Sequence, residues 1–125
     1  MKKKNALVYN GKSFTICDMG KDTYEFMSKA VGGYIEHIYI ESLGDRIDMW
    51  GNDEAKLIGL EPTMVLMYDG KPYDIVCGNV VFTTHNKRGD TTGLTEKDID
   101  FLTKKIDEDG MVLTKYGFLQ VMNYR

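Results

Sequence analysis

At 125 residues, with 42% hydrophobic and 28% charged side chains, the chain has the length and composition of one globular domain, large enough to bury roughly two-thirds of its unfolded surface. A net charge of −3 excludes a general nucleic-acid binder coated in lysine and arginine, and two cysteines, Cys17 and Cys77, make neither a disulfide framework nor a metal-ligand spacing. No stretch nears the roughly 18 apolar residues of a membrane span, and the basic start Met1-Lys2-Lys3-Lys4 lacks the apolar run of a signal peptide, so a cytoplasmic protein is expected.

Taken in order, residues 6–9 and 13–17 flank Asn10-Gly11, which supplies the positive φ angles of a hairpin. Asp22 or Thr23 then caps a helix on which Tyr24, Met27 and Val31 recur at helical spacing, with Phe26 and Ala30 widening the face. Gly32 and Gly33 end it. Residues 34–40, YIEHIYI, are rich in β-branched and aromatic side chains and predict a strand. Leu43-Gly44-Asp45 reads as a turn, and residues 46–50 alternate again, giving a hairpin or meander. Asn52 or Asp53 caps a short helical turn closed by Gly59, and Pro62 blocks its continuation.

The apolar run 63–68 is read as a strand, followed by a second hairpin signal, Asp69-Gly70. The longest apolar run, 73–85, is interrupted by Gly78-Asn79; a glycine there marks a bulge or a close backbone approach. A polar loop, NKRGDTT, covers 86–92. Thr95-Glu96-Lys97-Asp98 resembles a capping box, and Ile99, Leu102 and Ile106 form the buried stripe of the helix it opens, which Gly110 stops. Residues 111–122 return as a strand-like segment, read as a C-terminal extension of a single domain. The expected class is α+β: a mainly antiparallel sheet, two principal helices at about 22–31 and 96–107, and a short helical turn near 53–58.

Chemistry is sparse. Buried cysteines are more often inert small hydrophobes than nucleophiles, no G-x-S-x-G elbow occurs, and Asp45, Asp48, Asp53, Glu54 and Asp74 read as solvated loop charges, so no catalytic residue and no metal ligand is assigned. The best phosphate candidate is the loop carrying Lys87 and Arg88, with His85 just before it. Trp50, with Tyr34 and Tyr39 on nearby segments, offers surfaces on which a base can stack, and Asn52 and Asn79 offer amides to read its edge. Tyr34, Trp50, Asn52, Asn79, His85, Lys87 and Arg88 are therefore the candidate ligand-binding residues, with core packing as the plainer reading of the aromatics.

Three segments carry a family resemblance: VGGYIE at 31–36, NDEAKLIGL at 52–60 and YDIVCGN at 73–79. With Asp69-Gly70 and Leu94-Thr95 between and after them, residues 23–105 resemble a family of small phage and mobile-element proteins catalogued as domain of unknown function 3846. Two departures stand out: Ala55 where the family has glycine, and Glu61-Pro62-Thr63 where its pattern supplies an asparagine. The setting implied by the resemblance is counter-defence in a host bacterial cytosol. A non-catalytic protein there would sequester a nucleotide-derived immune signal in a concave site, with no cofactor, and a homodimer can complete that site. The alternative is a protein-binding inhibitor of a bacterial defence enzyme such as a CRISPR nuclease, using its acidic balance as a nucleic-acid mimic.

Overall fold

The computed structural model describes residues 3–125; Met1 and Lys2, the first half of the basic start, lie outside the described residues. In chain order the strands are β1 (Asn5–Tyr9), β2 (Phe14–Asp18), β3 (Ile35–Ile38), β4 (Ile47–Asn52), β5 (Pro62–Tyr68), β6 (Lys71–Cys77), β7 (Val80–His85), β8 (Thr91–Thr92), β9 (Met111–Thr114) and β10 (Gly117–Asn123). The helices are α1 (Thr23–Val31) and α2 (Glu96–Asp109), with one 3-10 turn at Glu41–Leu43. This is the expected α+β class, mostly antiparallel.

The strands divide between two sheets: β2-β1-β7-β4-β3, with β8 beside β7, and β6-β5-β10-β9. Alternation decides which faces meet. In the first sheet Leu7, Tyr9, Ile47, Met49, Val80 and Phe82 point one way, and in the second Met64, Leu66, Val76 and Met122 point back at them; together with Leu102 of α2 they form the main core. Phe82, Met49, Met64, Leu102 and Met122 are fully buried, each worth about 1.5–3 kcal/mol of transfer free energy. α1 covers part of the opposite face of the first sheet, packing Met27 and Val31 on Ala6 and Val81.

Local chemistry explains the ends. The Asp22 carboxylate accepts from the Glu25 amide at 3.0 Å, and Gly32, at φ 83°, takes the left-handed turn while the amides of Gly32 and Gly33 both donate to the Ser28 carbonyl. The capping box at α2 is complete: the Asp98 amide donates to Thr95 Oγ1, and the Thr95 amide donates to Asp98 Oδ2. Arg46, just before β4, adds a two-pronged ion pair to Asp98, at 2.9 and 3.0 Å, and so fixes the start of α2 to the first sheet. At the other end of α2 the buried Gln120 amide donates to the Ile106 and Gly110 carbonyls. Buried Lys105 reaches Asp109 and the Asn123 carbonyl.

Three expectations change and a fourth is refined. Asn10-Gly11 opens a four-residue loop, with Tyr9 paired to Phe14, because Asn10 Oδ1 accepts from both Lys12 and Ser13 amides and draws them into the turn. The helical turn expected near 53–58 is present, closed by Ile58 N–H to Glu54 O, but it sits within a run of linked turns over 53–59. The 73–85 run is two strands in different sheets, and Gly78, at φ 79°, makes the crossing; a Cβ there would stand 2.7 Å from Leu60 Cδ1, so the close approach is real and there is no bulge at Gly78. Residues 111–125 are no appendage: β10 lies between β5, to which it runs parallel, and β9, and forms the middle of the second sheet.

Candidate functional site

Two places gather polar side chains. The first is a shelf on the face of the first sheet that α1 leaves uncovered. Along β3 and β4, His37 pairs with Trp50, and along β4 and β7, Asp48 pairs with Thr83, so His37, Asp48, Trp50, Thr83 and His85 all project from one face. The Asp48 carboxylate accepts from His37 Nε2 at 3.1 Å and from His85 Nδ1 at 2.8 Å. One carboxylate on the middle strand therefore orients both of the chain's histidines, leaving Nδ1 of His37 and Nε2 of His85 for a ligand. A depression of about 210 Å³ opens beside them, walled also by Tyr39 and Asp45. Trp50 stands against His37, ring centres 5.1 Å apart, and its indole N–H donates to Thr83 Oγ1 at 2.9 Å. Its other contacts are with the α1 cluster, so Trp50 supports the shelf more than it offers a free stacking face.

The second place is the open edge where β3 and β6, the outer strands of the two sheets, face each other. Glu36, Asp53, Glu54, Lys56 and Asp74 line a cleft of about 140 Å³ there. Burial, then the neighbouring Asp53 carboxylate, pushes the Glu36 carboxyl above its ordinary range. Lys56 Nζ sits 2.6 Å from Asp74 Oδ1, and that bond raises the ammonium's pKa. On the far side of β6 a wider groove of about 480 Å³ runs between Tyr73 and Tyr116. Cys77 borders both, but burial raises its thiol pKa against a smaller lowering by Lys56, which keeps it a poor nucleophile.

The seven residues singled out from sequence do not converge. His85 ends β7, and Lys87 and Arg88 follow in the exposed turn that begins at Asn86, whose Oδ1 accepts from the Arg88 and Asp90 amides. Arg88 leans to Asp90 at 3.4 Å. Tyr34, Asn52 and Asn79 lie at the opposite end of the sheet, roughly 20 Å away at ~3.3 Å per strand residue. Tyr34 is exposed there, but the two asparagines are spent on structure: Asn52 Nδ2 donates to the Val31 carbonyl at 3.0 Å and Asn79 Nδ2 to the Ala30 carbonyl at 2.9 Å, tying the C-terminal end of α1 to the sheet. Asn52 Oδ1 also accepts from the Glu54 amide at 2.8 Å.

Asn52→Ala should therefore lower stability by about 1–3 kcal/mol in a denaturant titration, the usual cost of orphaning buried partners. Unchanged stability would return Asn52 to the list of free binding groups. Sequence reasoning passed over His37, Asp48, Tyr73 and Tyr116. The alternation of 34–40 and 46–50 already put His37, Asp48 and Trp50 on one side of a hairpin, and pairing those two strands in register was the missing step.

Fold and site define a two-sheet α+β protein with polar recesses and, among the described residues, no group of three or more His, Cys, Asp or Glu arranged to hold a metal ion. No helix among those residues is long and apolar enough to cross a membrane. The chain belongs to the family described as Domain of unknown function (DUF3846), whose sequence model matches residues 3–107. That match begins before the expected start at residue 23 and takes in the first hairpin. Searches of curated proteins and of solved structures find no match. All three segments that carried the resemblance reach the cleft beside β6, through Glu36, through 52–57 and through 74–77.

Proposed function

We propose that this protein is a non-catalytic binder of a nucleotide-derived small molecule, held on the histidine shelf, and that it acts in a host bacterial cytosol by sequestering an immune signal. The observation that carries the reading is the Asp48 carboxylate held between two imidazoles. It turns two rings toward one depression, and Lys87 and Arg88, which follow His85 in the exposed turn, are the cations this reading sets against Asp45 and Asp48 to meet phosphate. The cleft beside β6 is less suited to such a ligand: its four carboxylates against one lysine repel an anion, and 140 Å³ is well below the roughly 300–1,000 Å³ of small-molecule pockets. The shelf is also small, so the ligand rests partly exposed unless a second molecule covers it. The mobile-element setting implied by the family resemblance is what favours an immune signal over a metabolite.

Thermal unfolding against mono-, di- and cyclic nucleotides and ADP-ribose derivatives tests it. A ligand present at a hundred times its dissociation constant should add about 2.7 kcal/mol to the folded state. His85→Ala with Lys87→Ala should remove the shift, while Tyr116→Ala should leave it. The opposite pattern would move the ligand to the groove beside β6, and recovery of a converted molecule would make the protein an enzyme.

One observation favours the second reading, an inhibitor that docks on a basic surface of a defence enzyme such as a CRISPR nuclease: Glu36, Asp53, Glu54 and Asp74 crowd one open sheet edge. Asp45 and Asp48 stand at the other end of β4, so reversal of Asp53 and Glu54 alone is the discriminating change. It should abolish inhibition under this reading and leave the nucleotide shift intact under the first.

A further inference from the structure

β9 is one edge of the second sheet; it and β2, whose one charge is Asp18 at its end, differ from β6 and β3. β6 carries Lys71, Pro72 and Asp74, and β3 carries Glu36 and His37, residues that discourage another strand from adding. β9 reads Met-Val-Leu-Thr, with no charge, proline or bulge along its pairing with β10. Its backbone groups on the open side are thus an unblocked template.

Register then sorts the side chains. Met111 pairs with Gln120 and Leu113 with Phe118, so these four share the face that also carries Met122. α2 covers Gln120 and Met122 but leaves Met111, Leu113 and Phe118 exposed by 57%, 66% and 66%. Three large apolar side chains in a row beside an open edge form a patch wanting a cover.

Charge selects the occupant. The helix running into β9 ends Asp107-Glu108-Asp109, and the turn leaving it begins with Lys115; Asp107, Glu108 and Lys115 are all exposed. A strand with anions at its start and a cation at its end is complementary to an antiparallel copy of itself. Two-fold pairing centred on Val112, which sets Met111 opposite the partner's Leu113, keeps the apolar side chains of both copies on one face and brings each Lys115 to the acidic end of the other α2.

We propose that two copies of this chain pair antiparallel through β9, joining the four-stranded sheets into one of eight strands and covering Met111, Leu113 and Phe118. Four strand residues and three side chains fall short of the ~800 Å² per partner of a standard interface, so the dimer is weak and forms at high concentration.

Sedimentation velocity from micromolar to millimolar protein tests this. The wild type should pass from monomer to dimer, Leu113→Lys should stay monomeric throughout with an unchanged melting temperature, and Ile16→Lys, on the exposed β2 edge, should dimerise as the wild type does. Lys115→Glu and Glu108→Lys should each weaken self-association at least several-fold, and an equimolar mixture of the two should regain it, because both cross-pairs in the mixed dimer are then opposite in charge. A wild type that stays monomeric over the whole range overturns the proposal. So does a Leu113→Lys dimer, or a mixture no tighter than its parts.

Discussion

Replacing Asp98 with alanine is expected to lower stability by about 2–4 kcal/mol, roughly 10 °C in melting temperature for a chain of this size. The carboxylate is buried and has three obligations: the Thr95 amide at 2.7 Å, the Thr95 hydroxyl at 2.9 Å and the Arg46 guanidinium at 2.9 and 3.0 Å. Alanine frees the first turn of α2 and removes the link between that helix and the first sheet. Because Arg46 is half exposed, it rehydrates, and the loss stays below that of a fully buried pair.

The pH dependence carries a sign. Burial alone would raise the Asp98 pKa, but the bonds from Arg46 and Thr95 outweigh it and hold the carboxyl below its ordinary 3.8. A group depressed in the folded state adds stability above its unfolded pKa and loses it as pH falls through the folded value. The gap between wild type and Asp98→Asn, measured by urea denaturation, should therefore be full at pH 6 and close below about pH 3.8. A gap that persists unchanged at low pH would show that Asp98 acts through packing and not through charge.

Gly93→Ala should cost about 3 kcal/mol, near the upper end for overpacking. A Cβ at Gly93 would stand 2.7 Å from the Asn5 nitrogen and 2.8 Å from Lys4 Cα, both backbone atoms that no rotamer change can move. The contact is close because the Leu94 amide donates to the Asn5 carbonyl at 2.8 Å and Thr84 Oγ1 donates to the Gly93 carbonyl at 2.8 Å, so the strand–helix link is drawn against β1 from both sides. Gly89 is the control. It has open space around it and a φ of 87°, so alanine there should cost only the roughly 1–2 kcal/mol of left-handed strain. Thermal melts that rank Gly89→Ala as the more damaging would refute the crowding at Gly93.

Local signals accounted for much of this fold. The caps of α1 and α2, the glycine stops at 32 and 110 and the strand at 63–68 were readable because each depends on residues within one turn or one strand length. What sequence did not disclose was which strand meets which. The apolar run 73–85 splits between two sheets at a single glycine, and Arg46 meets Asp98 across 52 residues, a pairing with no periodicity to announce it. The same blindness moved the candidate site. Asn52 and Asn79 looked like base readers because amides suit that task, yet both serve carbonyls at the end of a helix 20 to 50 residues earlier. The Asp48 bridge joins side chains 11 and 37 residues apart and becomes visible only once β3, β4 and β7 are laid side by side.

The position of β10 has a consequence for how the protein is made. The strand that lies inside the second sheet, between β5 and β9, is also the last of the ten described strands in chain order. Until residues 117–123 emerge, β5 pairs only with β6, so from the completion of that hairpin onward the nascent chain carries an adhesive surface, the unpaired inner edge of β5. A fragment ending where the family match ends, at 107, would carry that surface permanently.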